Sequence, residues 1–201
     1  MTEVNSTRLI EYFAEHVPIS DEEKEIIRNS HELRHVKKKG LLFEQGSHCT
    51  LEAFVLSGSF RIFHTDSKGN EHVLYFAFPD WWIGDIASFY SGEPAGLNAQ
   101  ALEESIVLTI NPDTKEVLFN KIPKLERIFR IITQKHLTVV QKRLLLSYSA
   151  SAADRYHELL ERSPGIEQLV PQHQIASYLG ILPESLSRMK KQLMRSKGNS
   201  F

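Results

Sequence analysis

The segment from Val170 to Met194 carries the clearest chemistry in this chain. It reads Val-Pro-Gln-His-Gln-Ile-Ala-Ser-Tyr-Leu-Gly-Ile-Leu-Pro-Glu-Ser-Leu-Ser-Arg-Met-Lys-Lys-Gln-Leu-Met. Pro171 suits the opening of a helix whose apolar face is Ile175, Ala176 and Leu179. Ala176 is small enough for a second helix to cross closely. Gly180 follows, where a positive φ permits a sharp turn. Ile181 can plug the gap, and Pro183 opens a second helix with Leu186, Met189 and Leu193 facing inward. Glu184, Ser185, Ser187, Arg188 and Lys191 then face outward. This pattern predicts a helix-turn-helix whose second helix offers short polar and basic side chains to a DNA major groove. An arginine such as Arg188 can pair with O6 and N7 of guanine, and Glu184 can accept from a cytosine amine. Lys191, about one turn further on, is placed for phosphate. The plainer alternative is two packed helices with a solvated charged face.

Charge distribution favours the DNA-facing reading. The whole chain of 201 residues has a net charge of −1. From Pro171 to Phe201, however, Arg188, Lys190, Lys191, Arg195 and Lys197 stand against Glu184 alone. That local excess supplies the phosphate attraction that groove binding needs.

Other reactive side chains are sparse. Cys49 is the one cysteine, so these residues form no internal disulfide and no four-cysteine zinc or iron–sulfur site within one subunit. Its expected state is a partly buried thiol rather than a redox switch. His64 and His72 flank a hairpin tip and are expected in solvent. They have no third and fourth partner in a pattern that a metal-binding β-barrel enzyme would need. No metal or other cofactor is expected, and no enzymatic activity. Tyr75, Phe76, Phe78, Trp81, Trp82 and Phe89 concentrate aromatic surface in one stretch. They are expected to be mostly core, with an apolar effector pocket as the alternative.

Several elements must position these groups. Leu9, Ile10 and Phe13 stripe a short helix over 6–16. Ser20-Asp21-Glu22-Glu23 is a capping box that starts a second helix carrying Ile26 and Ile27. From Lys39-Gly40 to about Pro112 the chain breaks into short β-rich runs: Leu41–Phe43, Ala53–Leu56, Phe60–His64, His72–Phe78 and Ile106–Ile110. Turn residues separate them, which predicts a sandwich or barrel. Asp66 to Asn70 forms a hairpin tip. After Pro123 no Pro or Gly occurs until Pro164. Leu125, Phe129, Ile132, His136, Val139, Arg143 and Leu146 recur at steps of four and three, a heptad seam with two polar interruptions. The expected helix is about 39 Å long and outruns a small β-domain. A homodimer seam is therefore expected, the alternative being one amphipathic helix packed on its own domain. Ser147 to Ala152 reads as a hinge. The expected units are 1–120 with the β-structure and N-terminal helices, 121–150 with the long helix and hinge, and 151–201 with the DNA-binding helices. No apolar run approaches the roughly 20 residues that span a bilayer. The N-terminus lacks a signal-peptide pattern, and a cytoplasmic location is expected.

Lys39-Gly40, Glu44-Gln45-Gly46, Phe54-Val55-Leu56-Ser57-Gly58-Ser59-Phe60-Arg61 and Trp82-Ile83-Gly84-Asp85-Ile86, followed by the long helix and the helix-turn-helix, resemble the cAMP receptor protein, or Crp–Fnr, family of bacterial transcription regulators. The likeness runs over nearly the whole chain. It implies an α+β fold: a double-stranded β-helix (β-roll) of the cyclic-nucleotide-binding type, a dimerising helix and a winged helix-turn-helix. It also implies a homodimer on a near-palindromic operator, with RNA polymerase as a further partner. Glu184 and Arg188 fall where similar proteins contact base edges, and Ser185 and Lys191 where they contact phosphate or flanking bases.

Two departures qualify the resemblance. The family's nucleotide cassette has Gly-Glu-Leu, then Arg-Ser or Arg-Thr about eleven residues after the Gly. The Arg pairs with the cyclic phosphate, and the Glu holds the ribose. Here the effector candidates are Gly84, Asp85 and Ile86, and an ungapped count puts Ala95 and Gly96 at the Arg-Ser place. No arginine lies between Arg61 and Arg127. A buried phosphate needs a fixed cation or several amide donors, so the expected effector is a small molecule other than cAMP, of unknown identity. The second departure lies beyond Met194, where no strand-like run supports a full wing. Leu182 also stands where Ser, Thr or Asp would cap the recognition helix. The competing readings are a cAMP-responsive regulator and a β-roll sensor that acts through protein partners with weak DNA binding.

Overall fold

The computed structural model describes residues 2–198, with side chains described for 6–193. Two helices lead in, α1 (Thr2–Ala14) and α2 (Asp21–Asn29). The capping box forms: the Ser20 amide donates to Glu23 Oε2 at 2.7 Å, and the Glu23 amide donates to Ser20 Oγ at 3.3 Å. Eight strands follow: β1 (Glu32–Val36), β2 (Leu41–Phe43), β3 (Glu52–Ser57), β4 (Phe60–Thr65), β5 (Glu71–Ala77), β6 (Trp82–Ile83), β7 (Asn98–Ala101) and β8 (Ser105–Ile110). A short helix α3 (Ile86–Ser91) lies between β6 and β7. Two antiparallel four-stranded sheets result, in the orders β1-β8-β3-β6 and β2-β7-β4-β5.

Strand alternation divides the side chains between two cores. A strand turns successive residues to opposite faces. In β3, Ala53 and Val55 therefore enter the core between the sheets, with Phe60, Ile62, Ala99 and Val107. Phe54 faces the other way, into a cluster with Trp82, Leu108, Leu9 and Phe13. The β3–β4 turn needs Gly58. Its φ is +84°, and a Cβ there would lie 2.1 Å from Ser105 Oγ.

The helical part continues with α4 (Pro112–Lys121) and α5 (Lys124–Ser149). Asn111 caps α4 by accepting from the Thr114 amide at 2.8 Å. Lys115 of α4 is buried with Glu52; its ammonium pairs with that carboxylate, donates to Tyr90 Oη at 3.0 Å and sits 4.2 Å from the Phe129 ring centroid. The expected hinge narrows to Ala150 and Ser151. Ala150 is extended, and Ser151 caps α6 (Ala152–Arg162) with a second capping box, completed by Asp154. Then come α7 (Ile166–Leu169), α8 (Gln172–Leu179) and α9 (Pro183–Gly198).

The C-terminal helices share a third core with the β-structure. Tyr156, Leu159, Ile175, Leu179 and Leu186 join Phe63, Val73 and Phe76 of β4 and β5. β5 is the edge of its sheet, and its backbone groups find partners on the helices. Ser177 Oγ accepts from the Val73 amide at 3.0 Å and donates to the Glu71 carbonyl at 2.6 Å. Arg143 of α5 donates to the carbonyls of Val73 and Tyr178, each at 3.0 Å. Edge strands need such cover; here it fixes how α8 sits against the β-structure.

Candidate nucleic-acid interface and effector site

The turn between α8 and α9 forms as its residues predict. Gly180 takes φ +67°, ψ +34°, and its amide closes on Ser177 O at 3.0 Å while the Ile181 amide closes on Ala176 O at 3.0 Å. Ala176 and Leu186 are fully buried, so the two helices meet through a small residue and a leucine. Met189 and Leu193 pack on the same side. Glu184, Arg188 and Lys191 are exposed, at spacings of four and three that line one helix face. Ser185 and Ser187 are half-buried at its borders. Arg188 donates weakly to Ser185 Oγ at 3.3 Å, a contact loose enough to exchange for a base. Lys190 is committed elsewhere, in an ion pair with Glu167. Leu182 is 68% exposed at the start of α9. Its carbonyl accepts from the amides of Ser185 and Leu186, while its side chain has no polar atom to cap the helix. α9 runs through Gly198, so Arg195 to Gly198 extend the helix. The side chains of Arg195 and Lys197, and residues 199–201, lie outside the described residues, and with them part of the expected basic excess.

The cassette residues come together differently from an open anion pocket. Asp85 is 4% exposed. Its Oδ1 accepts from the Ser88 amide at 3.1 Å and caps α3. Its Oδ2 accepts from the amides of Gly96 and Leu97 at 2.8 and 3.1 Å. The backbone donors at the place aligned with the phosphate-binding pair are thus taken by the chain's own carboxylate. Ala95 is buried in the inter-sheet core, so an arginine there would have to enter apolar surroundings. Gly84 lies against β3, where a Cβ would meet Glu52 Cγ at 3.0 Å. Ile86 points away, 56% exposed. Leu97 is the member that the cassette pattern did not identify, because it contributes only an amide.

Cys49 is more buried than expected, at 3% exposure, and its thiol donates to Leu51 O at 3.3 Å. Burial pushes its pKa up, which disfavours the reactive thiolate. His64 and His72 stay near the hairpin, on Gly96 O and Asp66 Oδ2 respectively. Of the aromatic group, Phe76, Trp82 and Phe89 are core. Tyr75 and Trp81 instead line a cleft of about 400 Å³ against α5 and α8.

In the single chain, residues of the expected α5 seam pack against other elements of that chain. Leu125 and Ile132 are buried within one chain, and Phe129 packs on the same cluster. His136 lies 5.5 Å from the Trp81 ring, and Arg143 is bonded to β5 and α8. Val139 and Leu146 are half-buried beside them. The heptad rhythm is real, but this face serves the chain's own β-structure and C-terminal helices. On α5 the large apolar side chains left exposed are Leu137, Val140, Leu144, Leu145 and Tyr148, the last at 85%. Leu137, Val140, Leu144 and Tyr148, spaced by three, four and four residues, form a second stripe.

Comparison with known proteins agrees with this architecture. A cyclic nucleotide-binding domain model matches residues 33–121. The regulatory protein HlyX of Actinobacillus pleuropneumoniae is 25% identical over 175 residues, covering 80% of this chain and 71% of HlyX. The transcriptional activator FnrA of Stutzerimonas stutzeri is 28% identical over 167 residues, covering 78% of this chain and 68% of FnrA. Among solved structures, the c-di-GMP responsive regulator CLP of Xanthomonas campestris superimposes with a TM-score of 0.72 at 17% identity, covering 89% of this chain and 93% of CLP. FixK2 of Bradyrhizobium japonicum gives 0.71 at 20% identity, covering 83% and 86%. These likenesses to solved structures establish the fold.

Proposed function

We propose that the chain is a transcription regulator of the Crp–Fnr type, in which two copies join along α5 and set two α9 helices into successive major grooves of a near-palindromic operator. The observation that carries this reading is the face of α9. Glu184, Arg188 and Lys191 project from one side of a helix whose other side is fixed by Leu186. A merely solvated helix has no need of the tight Gly180 turn before it. Ser185 and Ser187 border the contact face. Arg188 and Glu184 read base edges, and Lys191 holds phosphate.

The homodimer uses the exposed stripe Leu137, Val140, Leu144 and Tyr148. Isolated apolar side chains on a surface are ordinary, but a stripe at steps of three and four along a helix seeks a like partner. The proposed units are the β-roll with its leading helices, the long helix, and the C-terminal helices from α6 onward. The protein acts on DNA in the cytoplasm as a regulator and not as an enzyme.

The effector is a small molecule other than cAMP. The reason is Asp85: a cyclic phosphate would meet a buried carboxylate on the amides it needs, with no arginine beside it. Like charges at that distance repel strongly where water is excluded. DNA binding therefore proceeds without cyclic nucleotide. Fluorescence anisotropy on a labelled operator obtained by selection tests this. Specific binding should appear without cAMP, weaken steeply with salt, and stay unchanged when cAMP is added. Binding that requires cAMP, or that shows no sequence preference, would remove this reading.

A further inference from the structure

We propose that the cleft between β5, α5 and the C-terminal helices α6 and α8 binds a small molecule with an aromatic body and one negative charge. Its volume, about 400 Å³, lies in the range of small-ligand sites. The lining is almost entirely carbon, from Tyr75, Trp81, Val139 and Leu144. Tyr75 and Trp81 present near-parallel rings, 6.4 Å apart at 26°. That surface accepts a flat apolar body.

Two cations in the same lining are short of anions. Arg143 spends one nitrogen on two carbonyls, and its guanidinium lies 4.3 Å from the Tyr178 ring centroid. Arg162 donates to Tyr178 Oη at 2.9 Å, and its Nε is buried without an acceptor. Among the described residues neither guanidinium has a carboxylate within ion-pair distance; Lys142, not an arginine, takes Glu158. Burial lowers the Arg143 pKa, and Arg162 adds a smaller like-charge effect in the same direction. Half-buried guanidinium groups in apolar surroundings are stabilised by a planar anion that accepts their N–H groups. An aromatic carboxylate supplies both the ring for Tyr75 and Trp81 and the charge for Arg143 and Arg162. His136 beside Trp81 is held toward its neutral form by burial, so it adds little charge at neutral pH.

Position gives the site a consequence. Arg143 ties α5 to β5 and to α8, so a carboxylate that engages it acts on the contact that orients the recognition helix. This consequence rests on the regulator reading; the binding itself does not. Val140 and Leu144 border the open side and belong to the proposed seam, so a second copy would close the cleft.

The test uses the full chain and two probes of matched shape, 2-naphthoate and neutral 2-naphthol, by titration calorimetry below pH 8. Naphthoate should bind at least tenfold tighter than naphthol. Arg162→Gln should erase that preference, and Val139→Trp, which fills the cleft, should abolish both. Equal affinity of the two probes, no binding of either, or a preference that survives Arg162→Gln would overturn the proposal. Binding untouched by Val139→Trp would place the probe elsewhere and overturn it too. Operator binding is measured in parallel without ligand. Its persistence in the absence of naphthoate binding refutes the cleft alone, whereas its absence with naphthoate binding intact refutes the regulator reading alone.

Discussion

Replacing Asp85 by alanine removes the acceptor of three amides. Those of Ser88, Gly96 and Leu97 lie 3.1, 2.8 and 3.1 Å from its carboxylate oxygens. Hydrogen bonds to a charged acceptor contribute roughly 1.5–3 kcal/mol each, but two terms offset the sum. The carboxylate no longer has to be desolvated, and water can enter the space it leaves. A net loss of about 3 kcal/mol results, of which the lost helix cap accounts for about 1 kcal/mol. For a chain of this size that lowers the melting temperature by about 6–12 °C. The deletion also creates a vacant anion site with three aimed donors. Formate should occupy it and return stability by linkage, about 1.4 kcal/mol at ten times its dissociation constant. Calorimetric or dichroism melts of wild type and Asp85→Ala, with sodium formate against sodium chloride at equal ionic strength, read both effects. A variant that melts within 2 °C of wild type would refute the reasoning. So would formate that stabilises both proteins equally.

Three further outcomes follow from the geometry. Leu137→Glu with Leu144→Glu should convert a dimer to a folded monomer in sedimentation, whereas Ile132→Glu should unfold the chain because Ile132 lies in its own core; a double variant that remains dimeric would return the seam to another face. His31 is buried, with Nδ1 near Ile27 O and Ser30 Oγ, and burial lowers its pKa to about 4. The unfolded chain, with an ordinary His near 6.5, then binds the proton first, so stability is full above pH 6.5 and falls by up to about 3 kcal/mol on descending to pH 4. Denaturation midpoints across that range should slope less in His31→Phe, and an unchanged slope would contradict the assignment. Lys115→Met leaves Glu52 alone in the core and should destabilise by about 3–5 kcal/mol, with Glu52→Leu recovering much of the loss in the double variant; additive losses in urea titrations would show that the pair is not coupled.

The parts legible in the sequence were those written in local chemistry. Ser20 and Glu23 mark the start of α2 because a capping box closes within four residues. Leu41–Phe43 marks β2, and Gly180 marks the turn before α9, for the same reason. β1, with Glu32, Arg34 and His35 among its five residues, has no apolar alternation and forms because it pairs with β8 from Thr109 to Ser105. β6 is two residues long and is defined by its pairing with β3. The α5 heptad is ambiguous for a related reason. A heptad pattern shows that one helix face is apolar, but not whether the surface covering it belongs to the same chain. Asp85 was found as a cassette residue, yet its partners are backbone amides, and these leave no mark on side-chain spacing. The cleft at Tyr75 and Trp81 joins residues from β5 to α8 that are about a hundred positions apart, and only the folded chain brings them together.

The face of α9 carries the functional account, and random-site selection tests it most directly. Wild-type protein and Arg188→Ala would each be carried through selection from a randomised duplex at fixed salt. Wild type should enrich a near-palindrome with half-sites about one helical turn, or roughly 34 Å, apart. Arg188→Ala should keep that spacing, lose preference at one base in each half-site, and bind the wild-type consensus more weakly by about 1–3 kcal/mol per half-site. An unchanged consensus in the variant, or no enrichment by the wild type, would contradict the assignment of α9 as the helix that reads DNA.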